Sequence, residues 1–153
     1  MIKNKKLNQF SFGSMKVQGI TIHNTGNDLS AYENFELMKN SITSHAAHYF
    51  VDENEVIQAM PLSINAWHTG KGYDRGNMST ISIEICRSTC TDSQYQLSEQ
   101  RAIKLIKKLL KSFKLDNNSI YFHNDFDKRN YCPHRILDIY KTKNDFIERR
   151  FLC

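Results

Sequence analysis

One apolar stripe limits this chain more than any other feature. Between residues 102 and 113, Ala102, Ile103, Ile106, Leu109, Leu110 and Phe113 recur at steps of three and four, with lysines between them. That period places them on one face of a helix, and such a face must lie against an apolar surface, here a sheet. A matching strand is at hand. Residues 80–86 alternate, with Ile81, Ile83 and Ile85 on one side and Ser82, Glu84 and Cys86 on the other.

Further segments extend this pattern. Residues 17–23 read as a strand entering the turn Asn24-Thr25-Gly26-Asn27, and Ser30 with Glu33 forms a capping box for a helix from 31 to about 39. Segments 49–51 and 56–60 flank a polar turn and predict a hairpin. Residues 61–75 read as a long loop carrying Trp67-His68-Thr69-Gly70, and Thr91 with Gln94 suggests a second capping box before the long helix. Residues 120–122 read as a buried strand ending at His123, and 134–140 and 145–151 as short closing helices. The expected fold class is α/β, a central mixed β-sheet covered by amphipathic helices.

At 153 residues with only 2 prolines and 6 glycines, the chain reads as one domain without an internal linker. Its motif-bearing core runs over about 17–140. The lysine-rich residues 1–8 lead into no apolar run, so synthesis in the cytoplasm without a signal peptide is expected. No segment approaches the roughly 20 apolar residues of a membrane span. Cys86, Cys90, Cys132 and Cys153 are too sparse for a disulfide scaffold and are expected to be reduced.

The net charge of +5 is unevenly spread. Lys3, Lys5, Lys6 and Lys16 make the start basic, as do Arg101, Lys104, Lys107, Lys108, Lys111 and Lys114 later on, around an acidic middle. Such surfaces suit an anionic partner such as nucleic acid, a wall polymer or acidic lipid, and the alternative for Lys104 to Lys114 is a solvated helix face. No nucleic-acid motif accompanies the charge, so no nucleic-acid partner is expected.

His23, His123 and Cys132 are the residues with metal-binding chemistry. Two imidazoles and a thiolate can hold a catalytic zinc and leave one position open. Spacing does not show that they converge; rim histidines and a buried cysteine are the alternative. Glu84 lies opposite three isoleucines, where a carboxylate must be solvated, paired or beside a metal. It is either a solvent-facing glutamate on an edge strand or a general base.

Four stretches in order carry a resemblance. They are Ile20-Thr21-Ile22-His23-Asn24-Thr25, Ala66-Trp67-His68-Thr69-Gly70, Ile81-Ser82-Ile83-Glu84-Ile85-Cys86, and His123-Asn124-Asp125 followed by Cys132-Pro133-His134-Arg135-Ile136-Leu137. Together they resemble the zinc N-acetylmuramoyl-L-alanine amidases, which include phage endolysins, bacterial autolysins and animal peptidoglycan recognition proteins. The similarity is nearest in character to Gram-positive phage and prophage enzymes.

The resemblance implies zinc on His23, His123 and Cys132, with Glu84 beside the metal water. It implies a groove for bacterial peptidoglycan lined by His68, Trp67, Asn77, Asn24 and Thr25, and a structural role for His48. Anionic wall polymers are a further expected partner. A monomer is expected, joined in a longer protein to a wall-binding domain, and acting on the wall after release.

Two departures stand out. The family's lysine two places before the cysteine is replaced by Asn130, which leaves Lys128 or Arg129 as the expected oxyanion-stabilising cation. Ala47 stands where some members carry a catalytic tyrosine. The rival readings are a peptidoglycan-binding module without activity and a cysteine hydrolase using Cys132 with His123 or His134.

Overall fold

A computed structural model describes residues 9–152; Lys3, Lys5, Lys6 and Cys153 lie outside it. Five strands form one sheet in the order β3-β2-β4-β1-β5. They are β1 (Gly19–Asn24), β2 (Tyr49–Val51), β3 (Val56–Gln58), β4 (Thr80–Ile85) and β5 (Ile120–Phe122). β1, β2, β4 and β5 pair in parallel, and β3 closes the hairpin antiparallel to β2. The sheet is therefore mixed, as the sequence predicts.

Among the described residues the helices are α1 (Ala31–Asn40), α2 (Arg75–Ser79), α3 (Asp92–Phe113), α4 (His123–Phe126), α5 (His134–Tyr140) and α6 (Lys143–Ile147). A short π-helical turn, Glu148–Leu152, follows α6. None of these helices is long and apolar enough to cross a membrane.

α3 buries Ala102, Ile103, Ile106, Leu109 and Leu110 against Ile81, Ile83, Ile85, Ile20, Ile22 and Val51. Phe113, at the last turn of the stripe, stays 36% exposed. The opposite face of the sheet has its own apolar cluster around Phe35, Met38, Phe50, Met60 and Cys86. α1 starts on the expected capping box, with Ser30 Oγ accepting from the Glu33 N–H and Glu33 accepting from the Ser30 N–H. Buried Asp52 joins this helix to the hairpin, accepting from the Ala31 N–H at 2.6 Å and from the N–H groups of Asn54 and Glu55.

One local expectation fails: Thr91 precedes α3, but its hydroxyl donates to the Gln94 side chain and caps no backbone N–H. The expected loop ends where α2 begins, a helix the sequence reading did not include, capped by Asp74, whose carboxylate accepts from the Asn77 N–H at 2.8 Å.

Strand alternation has the consequence that matters for function. Ile20 and Ile22 join the α3-side core, so Thr21 and His23 face the other way, as do Ser82 and Glu84. In parallel register His23 sits directly beside Glu84. β4 is a central strand, which removes the edge-strand reading of Glu84. His48, on the same side, is structural. Its Nδ1 accepts from the Ser82 N–H at 3.0 Å and its Nε2 lies 2.9 Å from the Ile64 carbonyl.

Candidate metal centre

Three elements deliver the potential ligands to the carboxyl ends of the parallel strands, where sites on such sheets gather. His23 is the penultimate residue of β1, His123 follows β5 directly, and Cys132 ends the loop after α4. That loop is tied back by the Asn124 N–H, which donates to the Cys132 carbonyl at 3.0 Å. One ligand atom from each residue falls in a group within 4.8 Å of one another. His23 Nδ1 faces Cys132 Sγ at 3.8 Å and Glu84 Oε1 at 4.0 Å.

The electrostatics fit a cation. Burial, with His68 and His123 close by, lowers the pKa of His23 well below the usual imidazole range, and burial also lowers that of His123. Both shifts favour the neutral ring, the form a metal ligand requires. Burial raises the Cys132 thiol to about 12, with Glu84 adding to the shift. A bound cation would reverse that by stabilising the thiolate. Burial likewise lifts Glu84 from 4.5 to about 7, and its Oε2 is buried with no hydrogen-bond partner. A two-histidine, one-cysteine set beside an unpartnered carboxylate oxygen suits a metal carrying a water.

A cleft of about 320 Å³ adjoins this cluster, with Glu84, His68, Trp67, Thr25, Asn24 and Ala47 in its lining. Thr25 Oγ1 is a second buried atom without a partner there. Ala47, in place of the family's tyrosine, adds no polar group to the wall. Trp67 is half-buried and packs on Phe12, ring centroids 4.7 Å apart, and Phe12 packs on exposed Tyr73 at 4.8 Å.

Several expected groove residues have their polar atoms occupied inside the protein. The Asn24 amide donates to Tyr95 Oη at 3.1 Å and accepts from the Arg135 N–H at 3.0 Å, tying β1 to α5. Asn77 is fully buried and lies behind the cleft. Its Oδ1 accepts from the N–H groups of His68 and Thr69 at 2.7 and 2.8 Å, and its Nδ2 donates to the Gly72 carbonyl at 2.7 Å. Both ring nitrogens of His68 are engaged, Nδ1 with His23 Nε2 at 3.0 Å and Nε2 with the Gly76 carbonyl at 3.1 Å. These three residues shape the site and present no free polar atom to a ligand.

The expected cations stand apart from the cluster. Lys128 is 80% exposed beside Asp125, and Arg129 is 86% exposed with two 3.0 Å bonds to Asp127. Neither touches a potential ligand or Glu84. Asn130 does, with Nδ2 3.3 Å from His123 Nε2. The sequence reading also missed the Thr69 carbonyl, 3.1 Å from the same nitrogen, and Asp74, whose carboxylate accepts from the Thr69 hydroxyl at 2.7 Å. A backbone carbonyl leaves no mark in a sequence, but Asp74 three residues before Asn77 is a helix-start signal.

Comparisons with known proteins point to one family. A family model described as N-acetylmuramoyl-L-alanine amidase matches residues 13–135. The N-acetylmuramoyl-L-alanine amidase CwlA of Bacillus subtilis is 44% identical over 124 residues, covering 80% of this chain and 45% of that protein. XlyB, a second amidase of that organism, is 42% identical over 125 residues, 81% of this chain and 39% of its own length. The chain thus spans less than half the length of these curated relatives. The solved structure of PlyL superposes with a TM-score of 0.90 at 28% identity, covering 96% of this chain and 92% of that one. Because the matched residues contain every strand and all three residues of the His-His-Cys cluster, the chain belongs to the N-acetylmuramoyl-L-alanine amidase family.

Proposed function

We propose that this chain hydrolyses the amide bond between N-acetylmuramic acid and L-alanine in bacterial peptidoglycan, with zinc held by His23, His123 and Cys132. The observation that carries the proposal is the three ligand atoms within 4.8 Å of one another, set beside Glu84 with its buried, unpartnered Oε2. Zinc bound there supplies a Lewis acid and makes water acidic enough to attack near neutral pH.

The chain's own residues supply the rest. Glu84, with a pKa raised to about 7, takes a proton as water adds to the lactyl carbonyl. It returns that proton to the L-alanine nitrogen as the C–N bond breaks. Thr25 Oγ1 and the Trp67 ring line the groove for the muramyl-peptide. Lys128 and Arg129 would have to leave Asp125 and Asp127 to reach the oxyanion. His68 has no free N–H for that task. The cysteine-hydrolase alternative loses ground, since burial drives the Cys132 thiol away from the thiolate a nucleophile requires.

The exposed lysines of α3, Lys104, Lys107, Lys108 and Lys111, form the face we assign to anionic wall polymers. We take this chain as the catalytic domain of a wall-lysing protein, alongside a separate wall-binding region. Mass spectrometry of products released from Gram-positive peptidoglycan tests the activity. Free stem peptides beginning with L-alanine, lost with a chelator and restored by zinc, are the expected outcome. Wall binding with no new amino termini would instead make the chain a recognition module.

A further inference from the structure

Residues 67–77 do more than border the cleft. His68 Nε2 lies 3.1 Å from the Gly76 carbonyl, which can only accept, so Nε2 carries the ring proton. Nδ1 of a neutral His68 is then a bare acceptor, 3.0 Å from His23 Nε2. His23 must donate there, which leaves its Nδ1 lone pair facing Cys132 and Glu84. The next residue repeats the arrangement. The Thr69 carbonyl, also an acceptor only, lies 3.1 Å from His123 Nε2, which places the proton on Nε2 and bares Nδ1. Asn130 Nδ2 also lies 3.3 Å from His123 Nε2, and since two donors cannot face each other, a protonated Nε2 requires the amide to be turned with Oδ1 toward the ring.

We propose that His68 and the Thr69 carbonyl, pegged in place by Asn77, dictate which nitrogen of His23 and of His123 is offered to the metal. They are positioning groups acting through the two ligands. The proposal rests on the metal-centre reading above and deepens it.

The support behind these two residues is rigid. Asn77 accepts from both of their backbone N–H groups and donates to the Gly72 carbonyl. Asp74 holds Asn77 from below through its N–H and holds Thr69 through its hydroxyl. Gly76 lies so close that an added Cβ would sit 2.4 Å from Thr69 Cγ2 and 3.0 Å from Phe126 Cδ2. A polar shell of this kind fixes ring orientation and tautomer in metal sites, and its loss typically weakens metal binding about 10–100-fold.

The first test needs no variant. Long-range proton–nitrogen correlation on histidine-labelled, metal-free protein should show Nε2–H on both His23 and His123. Nδ1–H on either ring of the folded chain overturns the proposal. The second test titrates zinc against a chromophoric chelator. His68→Leu should bind zinc about 10–100-fold more weakly, and His68→Gln, which restores an acceptor, should recover most of the loss. Unchanged affinity in a folded His68→Leu protein also overturns it; if that variant does not fold, the wild-type spectrum decides. A wild-type chain with Nε2–H on both rings that takes up no zinc overturns the proposed function while supporting the tautomer assignment.

Discussion

Replacing Glu84 with glutamine should separate what this residue does for the reaction from what it costs the fold. The carboxyl lies on a central strand with about 20% of its side chain exposed. Burial raises its pKa from 4.5 to about 7. Below about pH 4.5 folded and unfolded chains both hold the proton, and the group contributes nothing. Between there and pH 7 the unfolded chain releases its proton first, so stability falls as pH rises. Above pH 7 the full cost remains, about 3 kcal/mol at about 1.4 kcal/mol per pH unit.

Three buried histidines act in the opposite sense. His23, His48 and His68 all have lowered pKa values, that of His48 near 4, so they resist protonation in the fold and make stability rise with pH. Being present in both proteins, they largely cancel in a difference. Urea unfolding of wild type and Glu84→Gln with chelator, at about pH 5 and about pH 8.5, isolates the carboxylate. The variant should gain about 2–3 kcal/mol on wild type between those values, while wall hydrolysis drops about 10²–10⁴-fold. Added zinc should narrow the gap, because a nearby cation favours the carboxylate. Parallel pH dependence of the two proteins would refute burial as the source of Glu84's basicity.

Other perturbations test the frame around the site. Asn77→Ala leaves two N–H groups and one carbonyl without partners and should cost about 2–4 kcal/mol in urea melts. Arg150→Ala strands Glu99, which is 1% exposed and whose Oε1 accepts from Arg150 Nε and the Tyr140 hydroxyl. The expected loss is about 3–5 kcal/mol by thermal unfolding, and a loss below 1 would show the pair to be well solvated. Lys128→Ala and Arg129→Ala remove exposed side chains paired with Asp125 and Asp127, and should leave hydrolysis rates nearly unchanged. A drop of about 10²–10³ in either would place that cation on the oxyanion.

The parts of the fold that could be read in the sequence are those set by local chemistry. The α3 stripe, the isoleucine alternation of β4 and the Ser30–Glu33 box each declare themselves within a few residues. The same local logic failed at Thr91, where two neighbouring side chains bonded to each other instead of to the backbone. It also passed over α2, five residues too short to show an apolar period.

Apart from the family resemblance of its motifs, the site was legible only as a set of residue types. What makes those types a site is pairing between distant segments. The parallel register that sets His23 against Glu84 joins residues 61 positions apart, and 109 separate His23 from Cys132. The supporting shell was less visible still, because its functional atoms are a backbone carbonyl, a ring nitrogen and an amide turned inward. His68 lines the cleft and Asn77 lies behind it, and both turn their polar atoms into the protein. With Asn77 fully buried and His68 8% exposed, each polar atom needed a protein partner. For His68, the partner within reach was the first metal ligand itself.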